Sequence, residues 1–187
     1  MIAIDHGTPL VCTGLDLRSL VDHLEDTHHR YLWDVLPRLT EFVDEALVDD
    51  AGRHEELAQV GRLYASIRVQ FESHLRKEER LLFPMVRDLA ASDVRPSFHC
   101  GSLRNPISVM IHEHDVVDEL LAQISAITNG FSAPPDACAA HRALVAGLAE
   151  LDADTRTHVH TENSILFPEV VRLEHEHLAV TASHLSG

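Results

Sequence analysis

The chain has 187 residues, 45% of them hydrophobic and only 5% aromatic, which suits one domain with a single core rich in helix. Its 30 acidic against 15 basic residues give a formal charge of −15, which repels nucleic acid and anionic membranes and excludes both as partners. No apolar run is long enough to span a bilayer and the N-terminal MIAIDHGTPLVCTG lacks the basic start of a signal peptide, so the cytoplasm is the expected compartment. Cys12, Cys100 and Cys138 are odd in number and lack CxxC spacing, so reduced thiols are expected, with neither a disulfide framework nor a thiolate zinc site.

Residues 1 to about 15, with Gly7, Pro9 and Gly14, read as an irregular lead-in. A helix is predicted from Asp16, its expected N-cap, and His29, Leu32, Leu36, Leu39 and Val43 form its three-four stripe. Pro37 is expected to bend this helix without ending it, and Gly52 breaks the run. A second helix is predicted over roughly 54–90 with a bend at Pro84, and its stripe runs through Val60, Leu63, Ile67, Phe71, His74, Glu78, Leu81 and Met85. After a connection over 91–105, a third helix opens at Pro106 with Asn105 as cap, carries Ile107, Met110, His114, Val117, Leu121 and Ile124, and stops at Asn129-Gly130. The fourth runs from about Asp136 to Arg172, with Leu144, Leu148, Leu151, Thr155, His158, Glu162 and Ile165 on its stripe and Pro168 near its end. The tail, 173–187, is expected to be frayed or loosely docked, with His175, His177 and His184 in solvent. Four amphipathic helices with short connections predict an all-α, up-down-up-down four-helix bundle occupying residues 16–172.

One phrase occurs twice: HLRKEERLLFP at 74–84 and HVHTENSILFP at 158–168. In each, a His is followed four residues later by a Glu, and on a helix those positions lie about 6 Å apart along one face. A lone pair of this kind is ordinarily a surface hydrogen bond. Both of these lie on apolar stripes, where burying an ionised carboxylate costs several kcal/mol or more unless it is paired or coordinated. The phrases are offset by 158 − 74 = 84 residues and the lone stripe histidines by 114 − 29 = 85, as in a duplicated helical hairpin. Folding the halves together gives a pseudo-twofold set of four imidazoles and two carboxylates: His29, His74, His114, His158, Glu78 and Glu162. Such a set suits two iron or manganese ions better than a single zinc, which takes about four ligands. The opposing reading, a metal-free bundle, leaves six core-stripe residues unexplained.

These residues resemble the hemerythrin-like domain, and specifically the repair-of-iron-centres proteins, over about residues 25–172. The likeness rests on HHRYLWDVLPRL at 28–39, SHLRKEERLLFPM at 73–85, NPISVMIHEHDVVDELL at 105–121, APPDAC at 133–138 and HVHTENSILFP. It implies metal histidines at His29, His74, His114 and His158 and bridging glutamates at Glu78 and Glu162. It also implies a carboxylate-bridged di-iron centre, with manganese as the alternative ion, and a role in iron-sulfur cluster recovery after nitrosative or oxidative stress. Iron supply or nitric-oxide chemistry would serve that role, with O2, NO or peroxide as small ligands and iron-sulfur proteins as clients. Reversible O2 or NO binding without turnover and peroxide consumption are the alternatives. Full-length repair proteins carry an N-terminal domain with an adjacent cysteine pair. Here a lone Cys12 precedes the first helix, so that domain's contribution is not expected from this sequence.

The remaining histidines are expected outside the centre. His28, His112 and His160 should turn away from the stripe, and His54 should cap or meet solvent. His99-Cys100 and Cys138-His141 are minor, adventitious sites, and Arg76-Lys77 with Glu79-Arg80 read as a solvated helix face.

Overall fold

The computed structural model describes the backbone of residues 15–185 and the side chains of residues 15–179. The predicted lead-in through residue 14, Cys12 and His184 fall outside the described side chains.

Four long helices form the bundle, with no strand among the described residues. Helix α1 (17–50) consists of Leu17–Leu24, a π-helical turn Glu25–His29, and Arg30–Asp50. Helix α2 (57–90) joins Leu57–Lys77, a π turn Glu78–Leu82, and Phe83–Ala90. Helix α3 spans Arg104–Ile127, and α4 (139–185) joins Ala139–Thr161, a π turn Glu162–Leu166, and Phe167–Leu185. Helix α1 lies against α4 and α2, and α2 lies against α3.

The ends follow local chemistry. Asp16 Oδ1 accepts from Ser19 N at 2.8 Å, the predicted cap. At the far end of α3, Asn129, Gly130 and Phe131 adopt φ of 51°, 77° and 58°, a left-handed stop that the Asn-Gly pair accommodates. The start of α3 differs from expectation. It begins at Arg104, and Asn105 does not cap it, because its Nδ2 instead donates to Cys100 O at 2.9 Å. Glu174 does part of that work, accepting from Leu103 N at 3.2 Å while it pairs with Arg95. The chain beyond Arg172 is therefore docked through its described part: the helix continues, and Glu174 and His177 are buried where solvent had been expected.

The π turns are the main departure from the sequence reading. Pro84 has no N–H to give Arg80 O, and its ring would crowd that carbonyl in a regular helix. The helix instead widens, and Phe83 N–H donates to Glu78 O five residues back. Pro168 repeats the solution, with Phe167 N–H on Glu162 O. Each π turn shifts the apolar register by about one residue. Leu82, Phe83 and Val86 are buried while the expected stripe residue Leu81 is 52% exposed. In α4, Leu166, Phe167 and Val170 replace Ile165 in the same way. Pro37, by contrast, sits inside an unbroken α segment.

The core is split in two. One apolar cluster, including Leu36, Tyr64, Ile67, Leu121 and Leu148, fills the end near the α1–α2 turn. The other, including Leu20, Phe83, Leu103, Leu166 and Val170, fills the opposite end. Between them along the helices lie the six residues singled out above. Gly147 permits close packing beside the first cluster: a Cβ there would stand 2.6 Å from Leu39 Cδ2.

Candidate metal centre

All six residues meet in this layer. His29, Glu78, His158 and Glu162 offer ligand atoms within 4.8 Å of one another, and so do His74, Glu78, His114 and Glu162. The two groups share both glutamates. Glu78 Oε2 lies 3.4 Å from His29 Nε2 and 3.2 Å from His74 Nε2. Glu162 Oε1 lies 3.2 Å from His158 Nε2, and its Oε2 lies 3.0 Å from His114 Nε2. Each carboxylate thus spans the two groups, and every ligand imidazole aims Nε2 inward.

All six side chains are buried, and both glutamates are fully so. No hydrogen bond reaches either carboxylate oxygen of Glu78 or Glu162, nor Nε2 of His29 or His158. Buried polar atoms are otherwise almost always satisfied, and a cluster of orphans converging on one space fits a cation that the protein donors surround.

Electrostatics in the metal-free protein show the same compression. Burial pushes the Glu78 carboxyl up, as does the Glu162 charge, yet the His74 charge and the close approach of the His29 and His74 imidazoles outweigh them and hold it below the usual range. Burial also opposes ionisation of Glu162, but His158 and His114 hold it well below its ordinary value. Burial acts to lower His74, and the Glu78 charge with the Glu113 hydrogen bond raises it to about 10. His29 is raised likewise, burial being overcome chiefly by Glu78. Without a cation, protons hold the layer together. A metal would replace them.

The outer ring nitrogens show which side chains orient the ligands. His29 Nδ1 donates to Glu79 Oε1 at 3.1 Å, and Trp33 Nε1 donates to the same oxygen at 2.8 Å. His74 Nδ1 donates to Glu113 Oε2 at 3.1 Å, with Lys77 on the other oxygen of that carboxylate. His114 Nδ1 donates to Asn163 Oδ1 at 3.1 Å. These bonds keep a proton on Nδ1, so that when a cation displaces the proton on Nε2 the inward nitrogen is free to bind it. His158 Nδ1 has no hydrogen-bond partner; His28 stacks on its ring at 5.2 Å and 7° and bonds Asp154 Oδ1 at 2.8 Å.

Several expectations are corrected here. His28 does not turn away, because the π turn at Glu25–His29 steps the register and buries both consecutive histidines. Glu79 is not part of a solvated face, since it holds His29 and Trp33. His54 and His141 are buried together at the other end of the bundle, at 8% and 2% exposure, where capping, solvent or adventitious binding had been expected. His112, His160, His99 and His175 are exposed, as expected for residues off the stripe. The sequence reading passed over Glu79, Glu113 and Asn163, although the repeat could have found them: 163 − 79 = 84 and 113 − 28 = 85 place them at repeat-related positions beside ligands.

A groove with a volume of about 340 Å³ runs along α3 and α4 to His114 and Asn163, and Asp115, Asp118 and Asp152 line it. No helix among the described residues is long and apolar enough to cross a membrane.

Comparison with known proteins identifies the family. The iron-sulfur cluster repair protein YtfE of Cronobacter sakazakii is 33% identical over 159 residues, a match covering 83% of this chain and 66% of that protein. A probable iron-sulfur cluster repair protein of Haemophilus influenzae is 31% identical over 163 residues, covering 85% and 67% respectively. The YtfE protein of Edwardsiella ictaluri is 34% identical over 155 residues, covering 83% and 66%. The chain thus spans about two thirds of the length of these curated relatives, 66% and 67% in the matches above. Residues 20–170 match the model of the hemerythrin HHE cation binding domain, and the chain belongs to that family.

Proposed function

We propose that this protein is a cytoplasmic non-haem di-iron protein that serves iron-sulfur cluster repair under nitrosative or oxidative stress. His29 and His158 would hold one iron and His74 and His114 the other, with Glu78 and Glu162 available to both. The observation that carries this reading is the pair of donor groups sharing two fully buried glutamates whose oxygens have no hydrogen bond. The set of imidazole nitrogens and carboxylate oxygens suits iron, with manganese as the alternative ion. The names of the relatives support the repair role.

When bound, a carboxylate-bridged iron pair supplies ferrous–ferric redox chemistry and a reserve of iron. The residues around it determine how it is held. Glu78 and Glu162 supply negative charge that favours retention of two cations in a buried layer. Glu79, Glu113 and Asn163 fix three of the imidazoles. The groove lined by Asp115, Asp118 and Asp152 reaches His114, giving a cation or a small molecule an approach from solvent. Its acidic lining favours cations, which is consistent with iron supply.

A second reading, reversible O2 or NO binding without turnover, draws on the apolar surroundings. Phe83 stacks on His29 at 5.3 Å and Phe167 on His114 at 6.2 Å, within a layer bounded by two hydrophobic clusters.

The test compares wild type with Glu78→Ala/Glu162→Ala by elemental analysis and optical spectroscopy, then offers each to an apo iron-sulfur enzyme. About two irons per chain, lost in the variant, together with recovery of the enzyme only by the loaded wild type, is the expected result. Equal metal in both proteins sinks the dinuclear reading. Full iron with no recovery of the client, but stoichiometric NO or O2 uptake, shifts the choice to the second reading.

A further inference from the structure

We infer that the bundle carries a second, mononuclear metal site at its other end, built from Asp50, His54 and His141 and suited to zinc or a similar divalent 3d cation. It is separate from the dinuclear layer: from Leu57, where α2 opens, to His74 is 17 residues, about 26 Å of helix. The inference does not depend on what occupies that layer.

Three segments build the site. Asp50 ends the α segment of α1, His54 lies in the turn before α2, and His141 is in the first turn of α4. One ligand atom from each lies within 4.8 Å of the others, and all three residues are buried. His54 Nε2 is buried without a hydrogen bond, although the ring as a whole is only 8% exposed. A structural histidine at such a turn would be expected to use both nitrogens. The ring meets His141 edge-on, with centroids 5.1 Å apart, so two imidazoles converge beside one carboxylate.

The surrounding bonds pre-organise this set. Asp50, fully buried, accepts from Cys138 N at 2.7 Å and from His141 Nδ1 at 3.1 Å through the same oxygen, Oδ2. Its other oxygen, Oδ1, accepts from the exposed Arg53 guanidinium, which an incoming cation would displace towards solvent. The hydrogen bond from Cys138 N, more than any other contact, holds the Asp50 carboxyl well below the usual range, so it is anionic at neutral pH. On the solvent side, Asp136 Oδ1 lies 3.4 Å from His54 Nε2, and Glu56 Oε1 lies 3.3 Å from His54 Nδ1. The Asp136 side chain is 64% exposed and free to turn inward as a fourth ligand. Two imidazoles and two carboxylates make a donor set that zinc accepts in tetrahedral geometry. A cavity of about 360 Å³, lined by Glu56, His141 and the Ser132–Pro135 turn, opens beside it and gives a cation a way in.

Protein already loaded with iron is titrated with Co2+ as an optical stand-in for zinc, and zinc uptake is measured by elemental analysis after gel filtration. We expect one further equivalent per chain, with the intense visible bands of four-coordinate cobalt and no loss of iron. His54→Ala should abolish that equivalent while leaving iron content and far-UV circular dichroism unchanged, and Asp136→Asn should weaken it at least tenfold. If His54→Ala fails to fold, His54→Gln replaces it. No further equivalent in wild type overturns the proposal, as does an equivalent retained in the His54 variant, which assigns the cation to surface histidines.

Discussion

The half of the centre built on His29 and His158 and the half built on His74 and His114 share both glutamates but differ in what stands behind them. In the second half both imidazoles are held from outside, by the Glu113–Lys77 pair and by the Asn163 amide. In the first, Glu79, which also accepts from Trp33, holds His29, while His158 Nδ1 has no hydrogen-bond partner and the His28 ring stacks on it. The repeat accounts for both the likeness and the difference. Glu79 and Asn163 are repeat-related, as are His28 and Glu113, and at each pair the two halves carry different side chains. Ligand identity has been kept across the duplication and outer support has not. The two donor groups are therefore inequivalent: each half has one imidazole held by a carboxylate, but only in one half does the other imidazole have a hydrogen-bond partner.

The largest expected effect would remove the comparison altogether. Because both glutamates belong to both donor groups, Glu78→Ala/Glu162→Ala should empty the two halves together, and elemental analysis showing one tightly held ion in that variant would break the idea of shared bridges. Next comes removal of one outer carboxylate at a time. Glu113→Ala and Glu79→Ala should each weaken metal binding by about 10–100-fold, and chelator competition should show a loss confined to one ion. Wild-type protein loaded with iron should give two Mössbauer environments, and Asn163→Leu, which leaves His114 as unsupported as His158, should draw them closer.

Metal removal combined with pH sharpens the comparison further. His74 is raised from 6.5 to about 10, so its contribution is fully present below 6.5 and is lost as pH rises towards 10. Glu162 is depressed from 4.5, so its contribution is present above 4.5 and is lost as pH falls through its folded value. Metal-free protein should therefore be most stable between about 4.5 and 6.5 and decline on the alkaline side, as followed by denaturant titration. Loaded protein should lack that alkaline decline, because coordination uses neutral imidazoles. The smallest effect is expected from Trp33→Phe. It removes one of the two donors to Glu79 Oε1 and should weaken only the His29 half, by about tenfold or less, since Trp33 acts on that imidazole only through Glu79.

Much of this was legible from spacing. Four apolar stripes gave four helices, Asp16 and Asn129-Gly130 marked two of their ends, and the doubled HxxxE phrase with two lone histidines named the six residues that meet between the two cores. Those features are local or periodic, and a three-four repeat carries its own direction. The π turns were half visible. Leu-Phe-Pro announced a disturbance, but whether the helix would bend or widen depended on which option let Leu82, Phe83, Leu166 and Phe167 into the core.

The helical class, the repeat and the inward-facing His and Glu side chains can be read without the fold, because each follows from backbone period and burial cost along a single helix. The partners of those side chains depend on how the helices pack. Glu79 reaches His29 across 50 residues, Glu113 reaches His74 across 39, and Asp50 meets His141 across 91. No periodicity links such positions, since the packing angle and the π-turn register together set which surface side chain leans over which imidazole.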